Sequence, residues 1–152
     1  MKKFEYRLDT VLDYKTQVLD NLKTEHAVIL QKVNKKQEEI RGLRQELAGY
    51  ENTFNRAKEE GVSIGDCRLY SMCIGRMEEI IDQEKIRLKV LKKEEDEKKQ
   101  EVITAKVDTS KFEKLKDKKL KEYEKVVMKA DEAFIEEFVS NTTTKFRHQH
   151  RG

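Results

Sequence analysis

The chain has 152 residues, of which 41% are charged and 36% are hydrophobic, and it contains no proline, no tryptophan and only 6 glycines. A β-sandwich needs many turns marked by glycine or proline, and an α/β enzyme needs repeated short apolar strands, so this composition argues against both and is typical of long helices and coiled coils. The 33 basic and 30 acidic side chains give a net charge of +3, which gives no strong argument for nucleic acid or an anionic membrane as the main partner.

The sequence predicts neither a membrane span nor a secretion signal. The longest uninterrupted apolar run, Ala27 to Leu30, is far too short to cross a membrane. The opening residues 1–7 carry charges where a signal peptide has an apolar core. We therefore expect a cytoplasmic protein without direct membrane insertion. Cys67 and Cys73 lie too far apart along one helix for a disulfide, so we expect free thiols.

The first predicted helix covers residues 3–58. Its apolar residues recur with a heptad period, in which positions a and d form the seam between paired helices. Of the fifteen seam positions from Leu8 to Ala57, twelve are apolar, and the exceptions are Lys15, His26 and Lys36. A heptad pattern that continues this far without a shift is typical of a coiled coil.

A turn is predicted over residues 59–65. Gly61 and Gly65 end one helix and permit a sharp reversal of the chain. Ser63 and Asp66 resemble a capping box that begins the next helix.

The second predicted helix covers residues 66–139, with fourteen of its twenty seam positions apolar and a phase shift past Leu120. Residues 140–152 show no periodicity, and we expect them to be disordered. The predicted fold is all-α: a long antiparallel two-helix coiled-coil hairpin with a longer second helix and a disordered C-terminal tail, forming a single domain over residues 3–139.

The unequal helix lengths leave the residues beyond about 120 without an intramolecular partner. This part of the chain still carries the apolar residues Tyr123, Val126, Val127, Phe134, Ile135 and Phe138. An amphipathic helix with an unpaired apolar stripe is expected to bind another molecule.

The sequence offers little catalytic chemistry. It has no glycine-rich phosphate loop, nucleophile elbow or metal-binding helix motif, and a two-helix hairpin has no cleft that removes a substrate from water. We interpret His26 as a polar residue that sets the seam register, and His148 and His150 as solvated tail residues. We therefore expect no enzyme, with no catalytic residue, no metal site and no cofactor.

Three segments together carry a family resemblance. They are the opening 4–12, the C-terminal stretch 112–132, and the turn Gly61-Val62-Ser63 with the residues that follow it, Leu69, Tyr70, Ile74, Met77, Glu78 and Ile81. These segments resemble the FliJ family, a small soluble component of the flagellar type III export apparatus. The similarity covers nearly the whole chain, about residues 4–138.

The resemblance implies an antiparallel coiled coil that is a non-enzymatic component of flagellar type III protein export. Such a protein would act as a stalk that promotes assembly and activity of the hexameric export ATPase and links it to the membrane export gate protein. It would be cytoplasmic and peripheral at the inner face of the cell membrane, with export chaperones as further candidate partners.

The resemblance also implies two sets of contact residues. The helix termini would contact the ATPase through Phe4, Leu8, Tyr123, Val127, Phe134 and Phe138. The export gate would contact Leu43, Leu47, Tyr50, Phe54, Cys73, Met77, Ile80 and Glu84. Cys73 and Glu84 stand where the family more usually has an aromatic residue and a histidine. Because six of these eight occupy seam positions, either the register slips near the turn or these residues are only partly buried.

The lysine-rich stretch 111–125 supports an alternative function, an RNA-binding or general scaffold hairpin. Its seven lysines outnumber its four acids, but it has no arginine for bidentate phosphate recognition, so no nucleic acid is expected as the partner. A homodimeric scaffold through residues 120–139 is a third alternative.

Overall fold

A computed structural model describes residues 2–150. Within them the chain forms two helices, α1 (Asp9–Glu60) and α2 (Ile64–Gln149), and no strand. The prediction of an all-α protein built from two helices, the second of them longer, is confirmed.

The contacts divide the chain into two compact units. The turn unit is Leu19–Thr104, and the terminal unit combines the described residues up to Val18 with those from Ala105 onward. The assignment of residues 3–139 to a single domain stays a prediction.

The turn unit follows the predicted heptad register without a shift. Its most deeply buried side chains all stand at predicted seam positions, and they are Leu19, Val33, Ile40, Phe54 and Ile81. Every other predicted seam residue of this unit is half-buried, apart from Tyr50. Burial therefore follows the 3.5-residue spacing of the apolar side chains, as expected for two helices packed along one seam.

The polar seam positions of the turn unit are matched across the helix pair. Lys36 Nζ lies 2.6 Å from Glu84 Oε2, and His26 Nε2 lies 2.8 Å from Glu95 Oε1. A shift of either helix along the other would leave these charged groups against apolar side chains. The pairs therefore favour one register over its neighbours.

The connection between the helices is shorter than predicted, Gly61 to Ser63 instead of residues 59–65. Gly61 has a φ of 96°, a conformation that side-chain-bearing residues rarely adopt. Ser63 then caps α2, because its Oγ accepts a hydrogen bond of 3.1 Å from the backbone N–H of Asp66. Ile64 and Gly65 are already helical, which accounts for the shorter connection.

The chain start differs from the prediction of a helix from residue 3, because residues 2–8 are not helical and α1 begins only at Asp9. The Tyr6 hydroxyl donates to the backbone oxygen of Phe112 at 3.1 Å, and the Tyr123 hydroxyl donates to the backbone oxygen of Lys2 at 2.5 Å. Residues 7 and 8 form a turn, closed by a hydrogen bond of 3.1 Å from the backbone N–H of Asp9 to the carbonyl oxygen of Tyr6. The segment before this turn contacts α2 from Phe112 to Tyr123.

The prediction of a disordered tail over residues 140–152 is also corrected, since α2 continues to Gln149. No glycine or proline interrupts residues 139–150. The hydroxyl groups of Thr142, Thr143 and Thr144 each donate to the carbonyl oxygen four residues earlier, at 2.8 to 2.9 Å. These three hydroxyl groups are thus satisfied within the helix. Residues 151–152 lie outside the described part of the chain.

Candidate partner-binding surfaces

The N-terminal segment, residues 2–8, packs on α2 within the terminal unit. The rings of Phe4 and Tyr123 lie 5.5 Å apart, and Lys116 Nζ lies 2.8 Å from Asp9 Oδ1. This hydrogen bond to Asp9 raises the pKa of Lys116 above its ordinary value. Deeper in the unit, Leu12 and Thr109 are buried, and the Thr109 hydroxyl donates to the carbonyl oxygen of Ala105 at 2.7 Å.

These contacts divide the residues that were expected to meet the ATPase. Phe4, Leu8, Tyr123 and Val127 are half-buried in the terminal unit. The expectation that the chain beyond about residue 120 has no intramolecular partner is therefore wrong at Tyr123. The N-terminal segment covers α2 to that point through the contacts of Phe4 and Lys2 with Tyr123.

Beyond this covered part lies the terminal overhang, which we define as residues 128–149 of α2. Every residue in it is exposed. Phe134 is 70% exposed and Phe138 is 65% exposed, and the overhang also exposes the apolar residues Met128, Ile135, Val139 and Phe146. Exposed apolar side chains at this density along one helix are typical of a surface that binds another protein.

The overhang is also polarised in charge. Its first half carries Lys129 and the four carboxylates Asp131, Glu132, Glu136 and Glu137, and its second half carries Lys145, Arg147 and His148. Within the described residues, no cation lies within ion-pair distance of the four carboxylates. A partner of this surface therefore meets an acidic half and a basic half in sequence.

The residues expected to meet the export gate lie in the turn unit, and the seam buries part of them. Phe54 is only 8% exposed and stacks on Tyr70 at 5.2 Å between ring centroids. Leu43, Leu47 and Met77 are half-buried. Glu84 is held by Lys36 and by Arg87, whose Nη1 lies 2.8 Å from Glu84 Oε1. Of the two alternatives left open above, partial burial describes these residues, because the register continues unshifted to the turn.

Three of the expected gate residues are exposed, and they are Tyr50 (45%), Ile80 (37%) and Cys73. Close to the turn, α2 also exposes Ile64, Leu69 and Met72, none of which was among the gate contacts that the resemblance implies. Leu69 and Met72 could have been identified from the sequence, because both are apolar residues at heptad positions that face away from the seam. A helix surface that faces only water carries polar residues at such positions. We call these six residues the turn surface.

Two kinds of site were searched for among the described residues, a metal-ligand group and a membrane-spanning helix. Between residues 2 and 150, no group of three or more His, Cys, Asp or Glu is arranged to hold a metal ion. In the same range, no helix is both long and apolar enough to cross a membrane. Cys67 and Cys73 are free thiols, and the His150 ring packs on Phe146 with centroids 4.7 Å apart.

Comparison with known protein families shows the family of this chain. The model of one family, described as flagellar FliJ protein, matches residues 3–145. The chain belongs to the FliJ family. Proteins of the FliJ family are non-catalytic components of flagellar export. This FliJ-family protein is therefore associated with the flagellar export apparatus. No curated protein and no solved structure matched the chain.

Proposed function

We propose that this FliJ-family protein acts as a non-enzymatic stalk of the export apparatus. It promotes the assembly and activity of the hexameric export ATPase through the terminal overhang, and it contacts the membrane export gate protein through the turn surface. The observation that carries the proposal is the exposed apolar stripe of the overhang, which has no partner within the described chain.

The overhang suits an interface with large protein subunits. Each of its phenylalanines buries about 150 to 250 Å² when a partner covers it, and aromatic anchors dominate the energetics of most interfaces. Phe134 and Phe138 project from a helix whose N-terminal side is held by Tyr123 and the N-terminal segment. The exposed overhang therefore continues directly from a part of α2 that is packed against the N-terminal segment.

The mechanism requires no catalytic group from this protein. If the overhang binds adjacent ATPase subunits better when they stand in a closed ring, binding shifts the population towards that ring. The ATPase then turns over faster because more of it is assembled. The differential affinity for the closed ring sets the upper limit of the stimulation.

The turn surface supports the second half of the proposal. Tyr50, Ile80 and Met72 offer exposed aromatic, aliphatic and thioether groups, which are types enriched in interfaces. The seam beneath them is packed, so partner binding orders few new side chains and loses little entropy. Contacts with the ATPase and the gate would hold the protein in the cytoplasm at the inner face of the cell membrane.

The decisive experiment measures ATPase stimulation by the full chain and by the double variant Phe134→Ser/Phe138→Ser. Both side chains are exposed, so the variant keeps the fold. We expect half-maximal stimulation at a concentration raised by about tenfold or more, the loss typical of two aromatic anchors.

The matched control is Ile86→Ser, which removes an exposed apolar side chain from the turn unit. It should stimulate the ATPase as the unmodified chain does. Equal stimulation by the double variant and the unmodified chain would show that the overhang is not the ATPase contact.

A further inference from the structure

We infer that the N-terminal segment, residues 2–8, is a displaceable cover that competes with the ATPase for one face of α2. While the segment is docked, it keeps the affinity of this protein for the ATPase below its full value. The inference rests on the ATPase contact proposed above and adds a device that regulates it. It is carried by the face that the segment occupies and by the weakness of its attachment.

The N-terminal segment lies on the same face of α2 as the phenylalanines of the overhang. The centroid of the Tyr6 ring lies 6.0 Å from Lys116 Nζ, and the ring centroids of Phe4 and Tyr123 lie 5.5 Å apart. Phe134 follows Lys116 by about five whole turns of helix and lies within about 20° of Tyr123 around the helix axis. One face of α2 is therefore covered by the segment near Tyr123 and exposed at Phe134.

A partner that binds this face needs more of it than the overhang exposes. Phe134 and Phe138 offer at most about 500 Å² between them, whereas a standard interface buries about 800 Å² on each partner. The other exposed apolar residues of the overhang lie about 100° or more around α2 from Phe134. The large apolar side chains that continue the Phe134 face are Val127 and Tyr123, both half-buried. Release of the segment exposes Tyr123 and lengthens the face.

The attachment of the segment to α2 is weak for its length. None of residues 2–8 is buried, and only Phe4, Tyr6 and Leu8 are half-buried. Within the described residues, no backbone-to-backbone hydrogen bond joins the segment to α2. The links are instead the hydroxyl groups of Tyr6 and Tyr123. Because ordering each residue costs backbone entropy, such a segment opens at a small fraction of the free energy of global unfolding.

The contact between the segment and α2 is also incompletely packed. A groove of about 730 Å³ lies between them, and Phe4, Leu8 and Tyr123 are among its lining residues. Side chains that line such a groove lack contacts that a close-packed interior supplies. Leu12 and Thr109, where α1 is already helical, are buried. Release of the segment therefore leaves the packing of α1 on α2 in place.

The competition predicts the sign of a mutational effect. If the ATPase binds the lengthened face only in molecules whose segment is released, the apparent affinity is the full affinity multiplied by the released fraction. A change that loosens the segment without altering the overhang then raises the apparent affinity. If Phe4 were instead a direct ATPase contact, as the family resemblance implies, its removal would lower that affinity.

The first test measures the concentration of the full chain that gives half-maximal ATPase stimulation. Phe4→Ser removes the ring that packs on Tyr123 and should lower this concentration by about three- to tenfold. Tyr6→Phe keeps the ring but removes the hydroxyl that donates to Phe112, and it should lower the concentration by about two- to fivefold.

The matched controls are Glu5→Ser, within the segment, and Tyr14→Phe, in α1. Both side chains are exposed, so the half-maximal concentration should not change. Stimulation by Phe4→Ser that equals or falls below that of the unmodified chain would overturn this inference and leave the overhang contact standing. Absence of stimulation by the unmodified chain would overturn the ATPase contact and this inference together, so the two failures are distinguishable.

The second test follows the segment directly, by the distance between two spin labels in a Cys67→Ser/Cys73→Ser background. The labels are attached at Lys3→Cys and Lys118→Cys, since both native side chains are exposed. Double electron–electron resonance should give a narrow distance distribution for the docked segment. Saturating ATPase should replace it with the broad distribution of a released segment.

The control pair for this measurement is Asp13→Cys with Lys111→Cys, which joins α1 to α2 at two exposed positions. Its distance should stay the same when the ATPase binds, because α1 and α2 remain packed. A narrow distribution between the first pair of labels that persists in the saturated complex would show that the segment is not displaced, and would overturn the inference.

Discussion

The pair formed by Lys36 and Glu84 shows how single residues fix the seam of the turn unit. Lys36 Nζ contacts Glu84 at 2.6 Å and Glu39 at 2.9 Å. The hydrogen bond from Lys36 lowers the pKa of Glu84 below its ordinary 4.5, and the charges of Lys36 and Arg87 act in the same direction. The hydrogen bonds to Glu84 and Glu39 raise the pKa of Lys36 above 10.5. Both side chains thus stay charged at neutral pH.

These pKa shifts predict a pH-dependent effect of Glu84→Gln. A carboxylate whose pKa is lower in the folded state contributes stability above its unfolded pKa and loses it as the pH falls through the folded value. The variant should therefore have a lower Tm than the unmodified chain at neutral pH. The difference should disappear as the pH falls well below 4.5.

Thermal unfolding followed by circular dichroism across this range measures the effect. Glu79→Gln, at an exposed position with no ion pair among the described residues, is the control and should be neutral throughout. A Tm difference for Glu84→Gln that does not change with pH would mean that its charge is not responsible.

At the scale of elements, the connection between α1 and α2 depends on one backbone conformation. Gly61 has a φ of 96°, and no heavy atom lies within 4 Å of the place where a Cβ would stand. A side chain at position 61 would therefore have room, and glycine is required there because of the positive φ. Ser63 follows as the cap of α2, so the reversal and the new helix begin within three residues.

Gly61→Ala and Gly49→Ala should have opposite effects on stability. Gly61→Ala should lower the free energy of unfolding by about 1 to 2 kcal/mol, because an L-residue is strained at positive φ. Gly49 is exposed within α1 and also has open space around it, so Gly49→Ala should raise that free energy by about 0.5 to 1 kcal/mol through helix propensity. Urea unfolding measures both. A stabilising or neutral Gly61→Ala would contradict the role of the turn.

At the scale of the whole molecule, the sequence predicted the features that depend on local periodicity. Seam positions such as Ile40 and Ile81 follow from heptad spacing alone, because burial between two long helices repeats with the helix itself. The exposure of Phe134 and Phe138 was predicted from the lengths of the two heptad patterns, because the second helix is much longer than the first.

The features that the sequence missed depend on contacts between distant residues or on a balance of weak preferences. Phe4 and Leu8 are four residues apart, which fits a helix, but Tyr6 and Phe4 instead contact Phe112 and Tyr123 more than a hundred residues away. For residues 140–149, the lack of apolar periodicity suggested disorder, whereas the absence of glycine and proline allows the helix to continue. The local sequence pattern therefore determines neither the conformation of the chain start nor that of residues 140–149.

The terminal overhang leads to a prediction about local stability within the terminal unit. Residues 128–149 lack side-chain burial, and a helix of this length is marginal in water without packing. Amide hydrogen exchange of the isolated protein should give protection on the order of tenfold or less in the overhang. Residues 9–18 and 105–116 pack on each other through Leu12, Thr109 and the Lys15–Asp108 pair, so they should exchange much more slowly and serve as the internal control. Adding the ATPase should slow exchange in the overhang selectively. Equal protection of the overhang and of the internal control in the isolated protein would show that the overhang is stable without any partner, and that covering its apolar stripe is not required to order it.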